Sequence, residues 1–276
     1  MNGSSFFTRG IVSRAIMRLR PPARSRRGSS ATILILALGT CSVAPRETVG
    51  AQNTAATTGG EVRQIVTFHF QPGRSDDAFA IYEKQLKSMY AGIAPLRRFR
   101  GYREAESPEP LDLVVVSSYD GMAGMDAAND ALRRPNAAGQ SAFALYATLS
   151  GMTQSHHDQF VEMLPALSDS VTDATDLTVF EYIRVAPGAQ QRLPILLITF
   201  IRPFERERGL YAWSESGRML VSDGWDFVRI YGIRSLGDWH RYRERMRNSP
   251  HGSELDAMIS ARKTIILKRD ARLSVR

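Results

Sequence analysis

The chain has 276 residues, of which 43% are hydrophobic and 23% are charged, a composition typical of a globular protein that can bury a core without disulfide bridges. The formal net charge of +8 would suit a nucleic-acid-binding protein. However, eight arginines and one glutamate lie within residues 1–51, which leaves a net charge of only +1 for residues 52–276. We therefore expect no nucleic acid as a partner of residues 52–276.

Residues 1–51 show the order of regions that is typical of a secretory signal peptide. An arginine-rich start is followed by the apolar run Ala31 to Leu38, and then by a polar stretch that ends in small residues suited to cleavage after Ala51. The apolar run is too short to span a bilayer in the usual way. The sequence therefore predicts a signal peptide over 1–51 and a flexible lead-in over 52–61. The protein should be periplasmic or secreted, with no membrane span in the mature chain.

Three other interpretations of this leader stay open. Ser25-Arg26-Arg27 resembles a twin-arginine signal, the stretch from Leu38 to Cys41 resembles a lipoprotein box, and the acid-poor composition would also suit a mitochondrial presequence. Cys41 is the only cysteine of the chain. Cleavage after Ala51 would remove it, so the mature chain would have no disulfide and no thiolate metal site.

The sequence from Val62 to Leu164 alternates between strand and helix patterns. Residues 62–71 predict a strand that ends in a Pro-Gly turn, and a helix with one apolar stripe follows from about Asp76. Further strands are predicted near 99–104, at 111–119 and at 159–164, with helices over 122–132 and within 137–149. The order is β-α-β-β-α-β, the ferredoxin-like plan, with both helices on one face of an antiparallel sheet.

The stretch from Leu177 to Gly188 repeats the plan of Val62 to Gly73, because each is a run of β-branched and aromatic residues that closes with Pro-Gly. A helix is expected within 190–208, although residues 195–201 are apolar enough for a strand and Pro203 should kink or end a helix.

Strands are predicted at 218–222, 225–233 and 264–268, with helix between 236 and 261. The chain is thus expected to contain one unit twice, as domains 62–170 and 177–276 joined by a polar linker at 171–176.

The second unit carries a recognisable set of residues. Its Pro-Gly turn, its hairpin and the stretch Ser235 to Tyr242 followed by Ser249-Pro250 resemble the dimeric α/β-barrel superfamily. That superfamily includes the antibiotic-biosynthesis monooxygenases, the NIPSNAP-like proteins and the EthD-like proteins. The resemblance implies that two sheets pair through their helix-free faces. The implied fold class is α+β, with two tandem ferredoxin-like β-α-β-β-α-β domains forming a fused dimeric α/β barrel. The chain would be a monomer with an internal pseudo-dimer, or a homodimer.

Alternation along the strands selects the residues that should face the space between the two sheets, provided that Val228 and Ile230 pack under the helices. The residues selected as a ligand-binding set are His69, Tyr182, Arg184, Phe227, Arg229 and Tyr231. Aromatic walls with two arginines could stack a flat ligand and hold its acid group. The alternative is that these side chains only join the two sheets, with the arginine tips reaching water.

Motifs for chemistry are mostly absent. The sequence has no GxGxxG, GxSxG, P-loop or HExxH pattern, and His156-His157 is interpreted as part of a polar loop rather than a metal site. Trp239 and His251 are similar in place to the Trp and His of haem-degrading members of the superfamily. Their spacing differs, however, and neither first strand contains the expected Asn. No proximal histidine of the chlorite-dismutase kind can be matched, so no cofactor and no metal are expected.

The sequence therefore favours an exported protein whose fused barrel binds a small hydrophobic or aromatic molecule. The alternative is a cofactor-independent monooxygenase-like or haem-handling enzyme. The fold does not distinguish the two, because this architecture hosts many activities.

Overall fold

The computed structural model describes residues 60–169 and 175–275. The predicted signal peptide, most of the predicted lead-in and most of the predicted linker lie outside the described residues. Within them, the order strand, helix, two strands, two helices and strand occurs twice.

The first half begins with a strand and a helix that contains a π-helical turn. Helix α1 runs through Ser75–Ile81, the π-helical turn Tyr82–Leu86 and Lys87–Ala91. The other elements are β1 (Val62–Phe70), β2 (Leu96–Glu106), β3 (Leu113–Tyr119), α2 (Gly121–Arg133), α3 (Ala142–Ser150) and β4 (Thr153–Met163). The turn between β1 and α1 has Gly73 at φ 76°, a left-handed conformation that glycine adopts without steric cost.

The second half follows the same order after a short 3₁₀ turn at Pro165–Leu167. Helix α4 runs through Arg192–Leu196, the π-helical turn Leu197–Ile201 and Arg202–Glu207. The other elements are β5 (Leu177–Val185), β6 (Trp213–Val221), β7 (Phe227–Ile233), α5 (Leu236–Arg247), α6 (Gly252–Ala257) and β8 (Ile259–Val275). Gly188 has φ 81°, so the turn after β5 matches the turn after β1.

The eight strands close into an antiparallel barrel in the order β1-β3-β2-β8-β5-β7-β6-β4. Each half contributes four neighbouring strands, and the pairs β2–β8 and β4–β6 join the two halves. A closed barrel has no free edges. The predicted fold class, an α+β fold built as a fused α/β barrel, is confirmed.

The helix expected within residues 190–208 is also confirmed, and the apolar run 195–201 lies in it rather than in a strand. Pro203 follows the π-helical turn and sits in the first turn of the segment Arg202–Glu207, where the missing N–H is tolerated. The interpretation of His156-His157 as a loop is wrong, because both residues lie in β4.

Three buried clusters organise the packing. One lies between the sheet of the first half and α1 to α3, and a second lies between the sheet of the second half and α4 to α6. The third contains strand residues from both halves and forms the inside of the barrel. Among the described residues, no helix has the length and apolar character needed to cross a membrane.

Candidate functional site

The inside of the barrel is lined by alternate residues of all eight strands. Its buried apolar members are Ile65, Tyr102, Val114, Val116, Val161, Met163, Phe180, Tyr182, Trp213, Val228, Ile230, Ile265 and Leu267. Polar side chains on the same strand faces gather at the end of the barrel where β1 begins. Buried polar groups need partners, so this end is where specific binding chemistry can be built.

Arg63 on β1 and Glu215 on β6 form a buried ion pair across the barrel interior. The guanidinium donates from Nη1 to Oε2 at 2.7 Å and from Nη2 to Oε1 at 2.5 Å, and the two side chains are only 4% and 9% exposed. Arg63 Nε also donates to Glu61 at 2.6 Å. Burial is the largest single influence and lowers the pKa of Arg63, but the charges of Glu215 and Glu61 and the hydrogen bonds to them together outweigh burial and raise that pKa. The arginine is therefore charged and fully engaged.

Two further arginines on β2 face the same space. Arg98 is half-buried and makes no ion pair within the described part of the chain, and Arg100 is 7% exposed. Burial, followed by the neighbouring charges of Arg100 and Arg63, lowers the pKa of Arg98. Arg98 therefore lies beside two other guanidinium groups and within reach of the charges of Glu215 and Glu61.

These side chains surround a small cavity, the arginine cavity. It is lined by Arg63, Arg98, Arg100, Tyr102, Val116, Ser118, Phe180, Trp213, Glu215 and Ile230, and its volume is about 10 Å³. That is room for about one water-sized group. Ser118 Oγ is buried in this lining without a hydrogen bond of normal length, and it lies close enough to Glu61 to help lower the pKa of that carboxyl. A buried hydroxyl that lacks a normal hydrogen bond, beside the unpaired Arg98, indicates a place for a hydrogen-bond acceptor.

Two contacts fix the position of the Trp213 side chain beside this cavity. Its Nε1 donates to Thr175 Oγ1 at 3.1 Å. A Cβ atom at Gly232 would lie 2.1 Å from that Nε1, so only glycine fits opposite the indole. The close approach fixes one aromatic wall of the cavity.

A second polar cluster lies outside the barrel, between the sheet of the second half and its helices. Glu205 on α4 is 0% exposed and accepts from Arg229 Nη2 at 2.8 and 2.9 Å and from Tyr242 OH at 2.6 Å. Tyr231 OH lies 2.9 Å from Tyr242 OH. Burial is the largest single influence and lowers the pKa of Arg229, but Glu205 together with Tyr231, Tyr242 and Glu181 outweighs burial and holds that pKa well above its usual value. The cluster therefore ties α4 and α5 to the barrel through a charged arginine.

Three of the six predicted ligand residues lie on interior-facing strand positions, toward the end opposite the arginine cavity. Tyr182 is buried, with its ring 6.1 Å from that of Trp225. His69 is half-buried on the strand face that carries Ile65, and Arg184 is exposed and donates to the Gly224 carbonyl at 2.7 Å.

The other three predicted residues point the opposite way. Phe227 and Tyr231 belong to the cluster under the helices, together with the register partner Ile183, and Arg229 bonds to Glu205 on α4. The predicted face of β7 is therefore wrong, and the six residues do not come together in one space. All seven residues of β7 are buried, so no exposed polar side reveals the orientation of this strand.

The sequence alone did not predict the residues of the arginine cavity, although the pattern of β2 indicates three of them. Arg98, Arg100 and Tyr102 alternate with Phe99 and Gly101, which places two arginines and a tyrosine on one strand face. The cavity is completed only by β1, β3, β5, β6 and β7, which no local pattern brings together.

No group of three or more potential metal ligands occurs among the described residues. All five histidines of the chain lie in the described ranges, and each is half-buried or exposed. The space between the sheet of the second half and its helices is filled by Tyr231, Trp239 and Tyr242, with the rings of Trp239 and Tyr242 stacked at 4.8 Å and that of Tyr231 tilted against both. These residues do not fit a buried, histidine-bound haem.

No family model and no curated protein matches the sequence. Solved structures do match the fold. A protein provisionally described as a monooxygenase from Lactobacillus acidophilus NCFM has a TM-score of 0.54 at 11% identity, covering 77% of this chain and 95% of that one. A chlorite dismutase from Candidatus Nitrospira defluvii, in complex with imidazole, has a TM-score of 0.52 at 8% identity, covering 78% and 93%.

A haem-binding protein from Thermus thermophilus has a TM-score of 0.51 at 13% identity, covering 78% of this chain and 92% of that chain. At such identities the likeness establishes the fold alone. The chain thus has the α+β barrel fold that is found in chlorite-dismutase-like proteins.

Proposed function

We propose that this protein binds a small acidic molecule, whose carboxylate or comparable oxyanion enters the arginine cavity. The observation that carries this proposal is Arg98, a half-buried arginine without an ion pair in residues 60–169 and 175–275, next to the buried Ser118 Oγ, which lacks a hydrogen bond of normal length. An anion would accept from both groups and would relieve the repulsion among the three arginines.

The walls of the cavity favour a ligand with an apolar or aromatic body. Tyr102, Phe180 and Trp213 stand beside the arginines, and planar guanidinium groups suit carboxylate recognition. The cavity itself has room for about one oxygen of the acid group, so the rest of the ligand would extend past the half-buried Arg98. Binding of a small molecule, rather than catalysis, is the function that these residues support best.

From the sequence we also propose export to the periplasm or secretion, and membership of the dimeric α/β-barrel superfamily alongside the monooxygenase-like, NIPSNAP-like and EthD-like proteins. The residues that line the arginine cavity come from both halves of the chain.

The change Arg98→Ala should lower the affinity for an acidic ligand roughly 10- to 100-fold, because a hydrogen bond to a charged group is lost. Thermal unfolding with benzoate, acetate and the neutral analogue benzamide at matched ionic strength measures this. The melting temperature of the wild type should rise with benzoate and not with benzamide.

The matched control is Arg97→Ala. Arg97 is the neighbouring residue, 55% exposed, and pairs with Asp120 instead of facing the cavity. This variant should respond to benzoate like the wild type. A wild type that ignores all acids, or an Arg98→Ala protein that responds normally, would contradict the proposal.

A monooxygenase-like or haem-handling enzyme is the second candidate, because the fold is shared with a haem-binding protein and a chlorite dismutase. With no buried histidine in the described ranges, added haemin should give no stoichiometric complex with a sharpened, shifted Soret band. Absorption titration measures this, with His251→Ala as the variant that identifies the ligand if a complex forms. A stoichiometric Soret shift would favour the second candidate over the first.

A further inference from the structure

The outer surface of α4 and α5 combines exposed apolar side chains with a group of exposed arginines. On α4, Ile195 is 62% exposed, and Ile198 and Phe200 are each 45% exposed. On α5, the exposed residues Arg243, Arg245 and Arg247 make no ion pair with any residue that the structure describes. Single exposed apolar residues are ordinary, but a group of them beside such positive charge indicates an interaction surface.

Two contacts place α4 and α5 next to each other. Tyr242 in the middle of α5 donates to Glu205 near the end of α4, at 2.6 Å. His251, just after α5, stacks on Phe200 with 4.7 Å between the rings. The chain from Tyr242 to His251 therefore runs alongside residues 205 to 200 of α4, in the opposite direction.

The charges of this layer favour a negatively charged partner. Helix α5 carries Arg241, Arg243, Arg245 and Arg247 against Asp238 and Glu244. Asp238 is already paired with Arg241 at 2.5 Å, so Glu244 is the one carboxylate of this helix left to offset three arginines. Residues 52–276 as a whole carry a net charge of only +1, so the positive charge of α5 is a local feature of this part of the chain.

We propose that the α4–α5 surface docks on an anionic lipid bilayer, with Phe200 and Ile198 entering the headgroup boundary and Arg243, Arg245 and Arg247 contacting the lipid phosphates. Apolar residues flanked by arginines are the combination that holds a helix at the surface of an anionic membrane.

The test reads the position of Phe200 itself, because the arginine-rich residues 1–51 of the full chain can bind anionic lipid independently. In the Phe200→Trp variant, the new indole should be quenched by brominated lipids in phosphatidylglycerol vesicles, and much less in phosphatidylcholine vesicles. The matched control is Ser88→Trp, which places an indole on the exposed side of α1 in the first half. That indole should not be quenched.

Adding Arg245→Gln and Arg247→Gln to Phe200→Trp should lower the quenching of the indole by brominated lipid at low salt, because each arginine near the surface strengthens lipid binding roughly five-fold. The control pair, Arg133→Gln with Arg134→Gln, removes the same charge from the first half and should leave the quenching of the indole unchanged. Equal quenching at positions 88 and 200 would overturn the proposal. So would concentration-dependent self-association that Phe200→Ser abolishes, because the surface would then belong to a second copy of the chain.

Discussion

Arg229→Met is expected to lower the free energy of unfolding by about 3 to 5 kcal/mol, because it leaves a buried carboxylate without its counter-charge. Glu205 is 0% exposed and would keep only the hydrogen bond from Tyr242 OH. Water cannot replace the guanidinium at this position, since the cluster under α4 and α5 is closed by aromatic rings. Urea denaturation, followed by circular dichroism, measures the loss.

The control for this prediction is Arg241→Met. Arg241 pairs with Asp238 but is 62% exposed, so its loss should cost less than about 1 kcal/mol. The double variant Glu205→Leu with Arg229→Met should recover much of the stability, because replacing both partners removes the uncompensated charge. A loss below about 1 kcal/mol in the single variant would mean that Glu205 takes up a proton at little cost.

Arg63→Met should cost a similar amount, about 3 to 5 kcal/mol, and should also abolish the response to benzoate. Glu215 would lose a two-point ion pair inside the barrel, and its side chain is only 9% exposed. Because Arg63 lies in the first half and Glu215 in the second, the change weakens the contact between the halves. Denaturation and the thermal shift assay together measure both effects.

Arg218→Met is the control for Arg63→Met, because it also removes an arginine near the junction of the halves. Arg218 also pairs across the β4–β6 junction, with Glu162 at 2.6 Å, but it is 52% exposed. Its removal should cost less than about 1 kcal/mol and leave the benzoate response intact. Equal losses for Arg63→Met and Arg218→Met would show that burial does not decide the strength of these pairs.

The order of the elements could be predicted from the sequence because the signals for it are local. Pro72-Gly73 and Pro187-Gly188 end the two first strands in the same way, and the left-handed φ of each glycine fits that turn. The helix over residues 190–208 was predicted from the repeat rather than from composition, since the apolar run 195–201 would also suit a strand. A repeated pattern therefore carried information that the local composition lacked.

Contacts between distant parts of the chain decided the strand bounds that local sequence patterns did not predict. The predicted strand at 218–222 begins at Trp213 in the structure, and the predicted last strand at 264–268 spans Ile259–Val275. The added residues 213–216 of β6 pair with β7 in the same half, whereas the added residues 269–275 of β8 pair with β2 across the junction of the halves. Hydrogen-bond partners so distant in sequence leave no local signal.

The sequence by itself determined the α+β plan, because hydrophobic periodicity and turn residues depend only on neighbours along the chain. The tertiary structure alone decided which face of β7 meets the helices. Arg229 pairs with Glu205 beside Tyr242 under the helices, while the smaller Val228 and Ile230 fill the closed interior. It also decided where the candidate site is, since six strands from both halves had to meet before their arginines, aromatic rings and buried hydroxyl surrounded one cavity.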